Sequence, residues 1–339
     1  MPVLYRSAQA DEPAGTLHLV ENELPEPGPG QVRVSVEAAG ICHSDAAMIS
    51  GRQPGATFPL VPGHEIAGRI DAIGDSVQGF APGERVAVGW FGGNCGYCVP
   101  CREGDFINCT RLQVPGLSYP GGYADAVVVP ATALARIPEE FTAPDAAPMG
   151  CAGVTVFNAL RTSAARPGDL VAILGIGGLG HLGVQFAARL GFETIAIARG
   201  ADKEPLAKQL GAHHYIDNQA QDTAAALRAL GGAKVVLGTV TSNAAMTDTL
   251  GGLTHRGELI VIGVNPEPFQ VSPFALTGGH KMYFHASGTS RDTEETLRFA
   301  ALTGIRPMIE QAPLADAQPA YERMLTGQAR FRMVLVTTH

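Results

Sequence analysis

Short apolar runs separated by turn signals characterise roughly the first 150 residues of the chain. Within these runs apolar and polar residues alternate, and β-branched side chains are frequent, as in strands with one buried face. Gly and Pro cluster at 25–30 (PEPGPG) and 120–123 (PGGY), where they favour turns. The pattern predicts an all-β unit with strands in VRVSVEAAG (32–40), IAGRIDAIG (66–74), RVAVGW (85–90) and YADAVVVP (123–130).

From about residue 153 the apolar runs alternate with helical periodicity. Such alternation predicts βαβ units and a parallel sheet. The predicted strands are LVAIL (170–174), ETIAIARG (193–200), HHYID (213–217), AKVVLGTV (233–240) and GELIVIGV (257–264). The predicted helices include KEPLAKQLGA (203–212), TAAALRALGG (223–232) and AAMTDTLGGL (244–253). After about residue 287 the pattern loosens, and it predicts a helix in TEETLRFAALTG (293–304) and a closing strand in FRMVLVTT (331–338).

The composition excludes several classes of protein. The 339 residues suffice for about two domains, and 45% apolar with 17% charged residues argues against disorder. A formal net charge of −8 disfavours nucleic acid and anionic membranes as partners. The first residues show no signal-peptide pattern, and the most apolar stretch, 170–191, is interrupted by glycines, His181 and Arg189. We therefore expect a cytoplasmic protein.

Four of the six cysteines lie in one fifteen-residue segment, CGYCVPCREGDFINC. Their spacing, C-x2-C-x2-C-x7-C, lets a short loop fold all four sulfurs around one tetrahedral Zn²⁺. Disulfides or free thiols are the alternative, but a reducing cytosol and a chain of this size disfavour disulfides. A nucleic-acid-binding zinc knuckle is disfavoured because the loop REGDFIN has one basic and two acidic residues. The sequence predicts a closed, structural zinc site formed by Cys95, Cys98, Cys101 and Cys109.

The segment GIGGLG has the dinucleotide-binding pattern G-x-G-x-x-G. It follows a predicted strand and opens a predicted helix, which is the context that the pattern requires. The first glycine makes the turn, the second admits a pyrophosphate, and the third lets the helix pack on the strand. The helix N-terminus then offers N–H groups to the phosphates, although a plain glycine turn is the alternative. The residues of this predicted cofactor loop are Gly175, Gly177, Gly178, Leu179 and Gly180.

The end of the next predicted strand bears on the choice of cofactor. An NAD site usually carries an acidic residue there for the ribose hydroxyls. This chain has Ala198 and Arg199 instead, and Lys203 follows one helical turn later. Because Arg or Lys can pair with a 2′-phosphate, the sequence favours NADP(H) over NAD(H). Alternatively, Arg199 stacks on the adenine and leaves the choice open.

The two remaining cysteines and one histidine suggest a second metal site. Cys42 lies in GICHSD, His64 in GHEIAG and Cys151 in MGCAGVTVFNAL. Two thiolates and one imidazole leave the fourth position of Zn²⁺ open, as in catalytic zinc sites. Each residue alone has an ordinary alternative, a small buried hydrophobic side chain for a cysteine and a hydrogen-bonded core residue for the histidine. The argument depends on their occurrence together with the cofactor loop.

These motifs together resemble the zinc-dependent medium-chain alcohol dehydrogenases. GHEIAGRIDAIGDSV (63–77) is similar to the zinc signature of that family, and the four-cysteine segment and GIGGLG are similar to its structural zinc lobe and cofactor turn. The resemblance runs from PEPGPGQV to RFRMVL, nearly the whole chain. It implies an α/β fold with two domains. These are a GroES-like β-rich catalytic domain, 1–152 and 288–339, carrying both zinc sites, and a Rossmann doubly wound cofactor domain, 153–287.

The resemblance also implies roles for individual residues. Cys42, His64 and Cys151 would be the catalytic zinc ligands, with Glu65 an occasional ligand and Asp45 orienting the His64 ring. Ser44 would be the relay hydroxyl, and Ala47 stands where many relatives have the histidine that completes the relay. The remaining implied residues are His43, Arg332 and Val264 at the cofactor, and Trp90 and Phe91 in the substrate pocket.

The implied reaction is hydride transfer between primary alcohols or aldehydes and NAD(P)(H), with two zinc ions per chain and NADP(H) favoured. Three alternatives remain: a polyol or sugar dehydrogenase of the same fold, a zinc-free quinone or enoyl reductase relative, and a non-catalytic zinc-stabilised relative. Cys151 and the complete cysteine lobe count against the first two alternatives. We expect a small-molecule substrate and a homo-oligomer, either a tetramer or a dimer.

Overall fold

The computed structural model describes residues 3–337, which divide into two compact units. The first unit contains the described residues up to Val154, Ser287–Leu302 and the segment from Arg306 onward. The second unit contains Thr155–Ala286 and Thr303–Ile305.

In the second unit a helix follows each strand from β8 to β11. In chain order the strands are β1 Leu4–Gln9, β2 His18–Glu23, β3 Gln31–Gly40, β4 Glu65–Ile73, β5 Arg85–Val88, β6 Ala126–Pro130, β7 Leu134–Arg136, β8 Leu170–Leu174, β9 Glu193–Ala198, β10 His214–Asp217, β11 Ala233–Gly238, β12 Leu253–Val261, β13 Lys281–Phe284, β14 Ile309–Pro313 and β15 Arg332–Val336. The α-helices are α1 His43–Ile49, α2 Val99–Arg102, α3 Ala143–Ala146, α4 Ala152–Arg161, α5 Gly180–Arg189, α6 Glu204–Gln209, α7 Thr223–Ala229, α8 Asn243–Thr247, α9 Ser290–Thr303 and α10 Ala317–Leu325.

The first unit contains a seven-stranded sheet in the order β14-β15-β3-β4-β5-β7, with β6 paired to β3, and a separate two-stranded sheet of β1 and β2. In β3, Val32, Val34 and Val36 are fully buried and alternate with more exposed polar residues, so that one face of the strand packs into the core. β3 pairs antiparallel with β4, β6 and β15. The register of these pairs therefore decides which loop residues meet at the ends of β3 and β4.

The second unit contains a six-stranded sheet in the order β10-β9-β8-β11-β12-β13, with all neighbouring strands parallel. Numbered from β8, this is the order 3-2-1-4-5-6 of doubly wound dinucleotide-binding sheets. The inner strands are almost wholly apolar because both faces of such a sheet are covered. The predicted α/β fold class, with one β-rich unit and one parallel-sheet unit, is confirmed.

The structure corrects several predicted elements. The helix predicted over 244–253 ends at Thr247, and Leu250–Gly252 forms a 3₁₀ turn, because two consecutive glycines disfavour a continued helix. The sequence patterns missed β1, β2, β7, β13 and β14, which are short or lack clear alternation. The closing strand is β15, and the last predicted strand residue, Thr338, lies outside the described residues. No helix within residues 3–337 is both long and apolar enough to cross a membrane.

Candidate metal and cofactor sites

The register between β3 and β4 brings the first two predicted ligands together. Gly40, the last residue of β3, lies opposite Glu65, the first residue of β4. Cys42 follows β3 by two residues, and His64 immediately precedes β4, so both lie at the same end of this strand pair. A side chain at Gly40 would overlap the Glu65 carboxylate, so this close approach requires glycine.

Cys151 joins this group from a distant part of the chain. It follows the 3₁₀ turn Ala147–Gly150, and the Gly150 carbonyl packs against Gly89, where a Cβ would overlap it. One ligand atom from each of Cys42, His64, Glu65 and Cys151 lies within 4.8 Å of the others. The structure thus brings together all four residues predicted for the catalytic zinc.

The His64 imidazole is wholly buried, and its two nitrogens differ in their contacts. The Nδ1 atom lies 2.8 Å from the Asp45 Oδ1 atom, which defines Nδ1 as the protonated nitrogen when the ring is neutral. The Nε2 atom is buried without a hydrogen-bond partner among residues 3–337. An unpaired Nε2 beside two thiols, with Nδ1–H held by a carboxylate, is the arrangement of a metal-ligating histidine.

The pKa values of the two thiols in this group are shifted in opposite directions. The hydrogen bond between them lowers the pKa of Cys42 well below its usual value, against the effect of burial. The same hydrogen bond, together with burial, raises the pKa of Cys151 well above its usual value. A divalent cation between the two sulfurs would hold both of them as thiolates. The donor set therefore fits zinc.

Glu65 is paired with Arg332, a contact that sequence analysis missed. The Arg332 guanidinium donates to Glu65 Oε1, and both side chains are buried. Burial raises the pKa of Glu65 to about 7, although the Arg332 charge opposes this effect. Arg332 is therefore a buried, ion-paired residue, and its contact with a cofactor phosphate stays a prediction. The two residues are 267 positions apart, so no local pattern could have revealed the pair.

Asp45 accepts three hydrogen bonds in a site without solvent access. Besides His64, its donors are the Cys42 backbone N–H at 2.8 Å and the Tyr123 hydroxyl at 3.0 Å, both to Oδ2. Asp45 is the third residue of α1, and its carboxylate caps the start of that helix. The predicted orienting role of Asp45 agrees with this geometry, and Tyr123 is a partner that sequence analysis missed.

The other residues predicted near the metal lie at different depths. Ser44, in the first turn of α1, has its hydroxyl 3.8 Å from the Cys42 sulfur. The Trp90 ring stands edge-on to the His64 ring, with centroids 5.1 Å apart and an interplanar angle of 87°. Phe91 is only 4% exposed and so lies within the core, whereas His43 is exposed at the start of α1. Trp90 is therefore better placed than Phe91 to contact a small molecule beside His64.

The four clustered cysteines converge in a separate group formed by α2 and the loops that flank it. The Cys109 sulfur lies 3.6 Å from that of Cys95 and 3.8 Å from that of Cys98. A tetrahedron with Zn–S bonds of about 2.3 Å has edges of about 3.8 Å, so the spacing fits zinc. Backbone hydrogen bonds from Cys101 and Thr110 lower the pKa of Cys98 to about 6, which favours its thiolate. All six cysteines are free, so the disulfide alternative is excluded.

The glycine turn after β8 has the geometry of a phosphate loop. Gly175 has a φ of +98°, and a Cβ at Gly180 would overlap the Gly175 carbonyl, so α5 can only pack this close with glycine there. A Cβ at Gly177 would meet nothing within 4 Å in the described part of the chain. The space over Gly177, between the strand end and α5, is thus open to a ligand. Gly178 and Leu179 complete the loop, half-buried.

The carboxyl end of β9 carries the residues predicted to select the cofactor. Ala198 is buried, and Arg199 is exposed directly after it. However, Asp217 at the end of β10 accepts a hydrogen bond from the Gly200 N–H at 2.9 Å, so an acidic group does reach this position from the neighbouring strand. Lys203 is half-buried in the following turn, and Val264 is 68% exposed in the loop after β12. The sequence pattern did not reveal Asp217, because this residue lies at the end of β10 and not at the end of β9.

Comparisons with known proteins agree with this geometry. The family model "Alcohol dehydrogenase GroES-like domain" matches residues 28–139, and "Zinc-binding dehydrogenase" matches 178–302. "Alcohol dehydrogenase notN" of Aspergillus sp. (strain MF297-2) is 39% identical over 99% of this chain and 98% of its own length. "Alcohol dehydrogenase patD" of Penicillium expansum is 40% identical over 98% of each chain. The crystal structure of CAD from Helicobacter pylori complexed with NADP(H) superposes with a TM-score of 0.87 at 28% identity, covering 99% of both chains.

Proposed function

This chain belongs to the zinc-binding medium-chain alcohol dehydrogenases, and on that premise we propose that it interconverts primary alcohols and aldehydes with NADP(H) as preferred cofactor. The observation that carries the proposal is the unpaired, buried Nε2 of His64 beside the thiols of Cys42 and Cys151. These three residues would hold a catalytic zinc, with Glu65 within reach as an occasional ligand. Zinc with an open position lowers the pKa of an alcohol and polarises a carbonyl.

The side chains around this site have distinct tasks in the proposed reaction. Asp45 keeps the proton on Nδ1 of His64, so that Nε2 stays free for the metal. The Ser44 hydroxyl would take the alcohol proton and pass it outward. With Ala47 in place of a histidine, water would complete the relay. The ring of Trp90 would form one wall of the substrate pocket, with Phe91 behind it, and this bulk favours primary alcohols and aldehydes over bulky secondary alcohols.

The second unit would bind the cofactor at the carboxyl ends of its parallel strands. The pyrophosphate would lie over Gly177, where a side chain would take its place. His43 and Arg332 would contact the phosphates, and Val264 would line the cofactor. Arg199 and Lys203 would pair with the 2′-phosphate of NADP(H).

NAD(H) is the alternative cofactor. Asp217, which holds the Gly200 N–H, favours it because a carboxylate there would repel a 2′-phosphate. The NADP(H) complex of the Helicobacter pylori relative supports NADP(H) as the preferred cofactor. The ratio of kcat/KM for the two cofactors discriminates between them.

The remaining parts of the proposal concern organisation. Cys95, Cys98, Cys101 and Cys109 would hold a second, structural zinc. We assign 1–152 and 288–339 to the catalytic domain and 153–287 to the cofactor domain, and the compact units that change at Val154 and Ser287 support these limits. The protein would act in the cytoplasm as a homo-oligomer, a tetramer or a dimer.

Metal analysis combined with steady-state kinetics tests the proposal. We expect two zinc ions per chain, reduction of simple aldehydes, and a higher kcat/KM with NADPH than with NADH. A purified chain with two zinc ions but no activity on a panel of primary alcohols and aldehydes would contradict the assigned reaction. A clear preference for NADH would contradict the assigned cofactor alone.

A further inference from the structure

Tyr123 is buried beside the metal site, although it contacts none of the proposed ligands through its hydroxyl. Its side chain is wholly inaccessible to solvent. The segment that carries it runs alongside the residues before His64: Tyr123 N–H donates to the Pro62 carbonyl at 3.0 Å, and Gly122 N–H donates to the Gly63 carbonyl at 2.8 Å. These backbone bonds hold the tyrosine in one position relative to the start of β4.

The Tyr123 ring packs directly against the backbone that precedes His64. Gly63 has a φ of +106°, and a Cβ at this position would overlap the tyrosine ring. Gly63 is therefore required for two reasons, its left-handed backbone and the closeness of the ring. As a result, ring and histidine backbone form one packed unit in which a small shift of one moves the other.

The Tyr123 hydroxyl completes the hydrogen bonding of Asp45. It donates to Oδ2 at 3.0 Å, the same oxygen that accepts the Cys42 N–H, while Oδ1 accepts from His64. Burial, together with the Asp45 charge, raises the pKa of Tyr123, so the hydroxyl keeps its proton and acts as a donor. Two of the three groups bound to Asp45 belong to proposed zinc ligands, and the third is Tyr123.

We propose that Tyr123 is a positioning residue of the catalytic metal site and acts through Asp45. Its hydroxyl holds the carboxylate in the rotation at which Oδ1 meets the His64 ring and Oδ2 meets the Cys42 backbone. Without it, Oδ2 keeps one donor in a site that water does not reach, and the carboxylate turns to recover a partner. The His64 ring then loses its fixed orientation. This inference rests on the proposed function, since it requires a zinc ion at His64.

Tyr123→Phe tests the inference because it removes the hydroxyl and keeps the ring. Tyr119→Phe is the matched control: Tyr119 is half-buried, and its hydroxyl donates to the Gly92 carbonyl at 2.8 Å, away from Asp45. For both variants, cobalt replaces the catalytic zinc, and the visible spectrum and the rate of cobalt loss to a chelator are recorded. Zinc retained by the four-cysteine group and the melting temperature are measured on the same samples.

We expect Tyr123→Phe to lose the catalytic ion on the order of 3- to 10-fold faster and to shift the cobalt spectrum. This effect is smaller than the 10- to 100-fold typical of a partner that touches the ligand itself, because Tyr123 acts one residue further out. Tyr119→Phe should lower the melting temperature without changing either readout. Equal ion loss in both variants, or wild-type behaviour of Tyr123→Phe, overturns the inference and leaves the proposed function intact. A wild-type chain that binds no metal ion at Cys42, His64 and Cys151 overturns both.

Discussion

Replacing Asp45 by Asn removes one charge from the metal site while nearly preserving its shape. The carboxylate accepts from His64 through Oδ1 and from Cys42 and Tyr123 through Oδ2. An asparagine has one oxygen and one NH₂ group. If the oxygen keeps the two donors on its side, the NH₂ group faces His64 and requires an acceptor at Nδ1. The imidazole proton then moves to Nε2, the nitrogen that a metal needs.

The magnitude follows from the lost hydrogen bond. A hydrogen bond to a charged group contributes about 1.5–3 kcal/mol. With about 1.4 kcal/mol for each factor of ten, this corresponds to roughly 10- to 100-fold in affinity for zinc. The same range is typical for loss of a carboxylate that supports a metal-bound histidine. Complete burial of Asp45 and His64 places the effect toward the upper end, since solvent does not screen the pair.

Competition with a chromophoric chelator measures the zinc affinity of both sites, and the four-cysteine group serves as the internal reference. Asp125→Asn is the matched control. The Asp125 carboxylate also accepts hydrogen bonds from a side chain and from the backbone, namely the Arg6 guanidinium at 2.8 Å and the Arg6 N–H at 3.0 Å. Asp125 belongs to neither of the two groups of candidate metal ligands. It should leave both zinc affinities unchanged. If Asp45→Asn bound the catalytic zinc as tightly as the wild type, the assignment of the His64 tautomer would be wrong.

Five further substitutions separate effects on stability from effects on metal and cofactor binding. Gly177→Ala should keep the melting temperature, because its methyl group would meet no atom within 4 Å in the described part of the chain. It should raise KM for the cofactor, because the methyl group would occupy the place proposed for the pyrophosphate. Gly180→Ala should instead lower the melting temperature by a few degrees through overpacking of about 1–3 kcal/mol. Cys101→Ser should remove the structural zinc and lower the melting temperature, while the catalytic zinc stays bound. Cys42→Ser should remove the catalytic zinc and abolish activity, while the four-cysteine group keeps its zinc. Arg199→Ala should reduce kcat/KM with NADPH by about tenfold or more and leave kcat/KM with NADH almost unchanged. Equal decreases in kcat/KM with both cofactors would show that Arg199 does not contact a 2′-phosphate.

The regular elements of the second unit were largely predictable because their patterns are local. The apolar run before the glycine turn is β8, and the helical pattern after it is α5. β13 was not predictable in this way, since KMYF at 281–284 is too short and too mixed in polarity to show a period. Its place at the edge of the sheet depends on pairing with β12.

The metal ligands of the candidate site could be predicted from the sequence, but the residues that surround these ligands could not. Cysteine and histidine types indicate zinc chemistry wherever they occur in such a set, so the ligand set could be proposed from the sequence. The contacts of Tyr123 with Asp45, 78 positions away, and of Arg332 with Glu65 have no such signal. Tyrosine and arginine occur in many buried and surface roles, and their spacing along the chain says nothing about their partners.

By itself, then, the sequence determined what each local segment is able to do. The four-cysteine loop can close around one ion, and GIGGLG can turn and admit a phosphate, because residue type and close spacing decide these properties. The tertiary structure alone decided which distant groups meet: the register of β3 against β4 joins Cys42 to His64, and packing of Gly150 on Gly89 adds Cys151. The physical reason is that strand register and close packing are settled by many weak contacts over the whole unit, and no short segment contains that information.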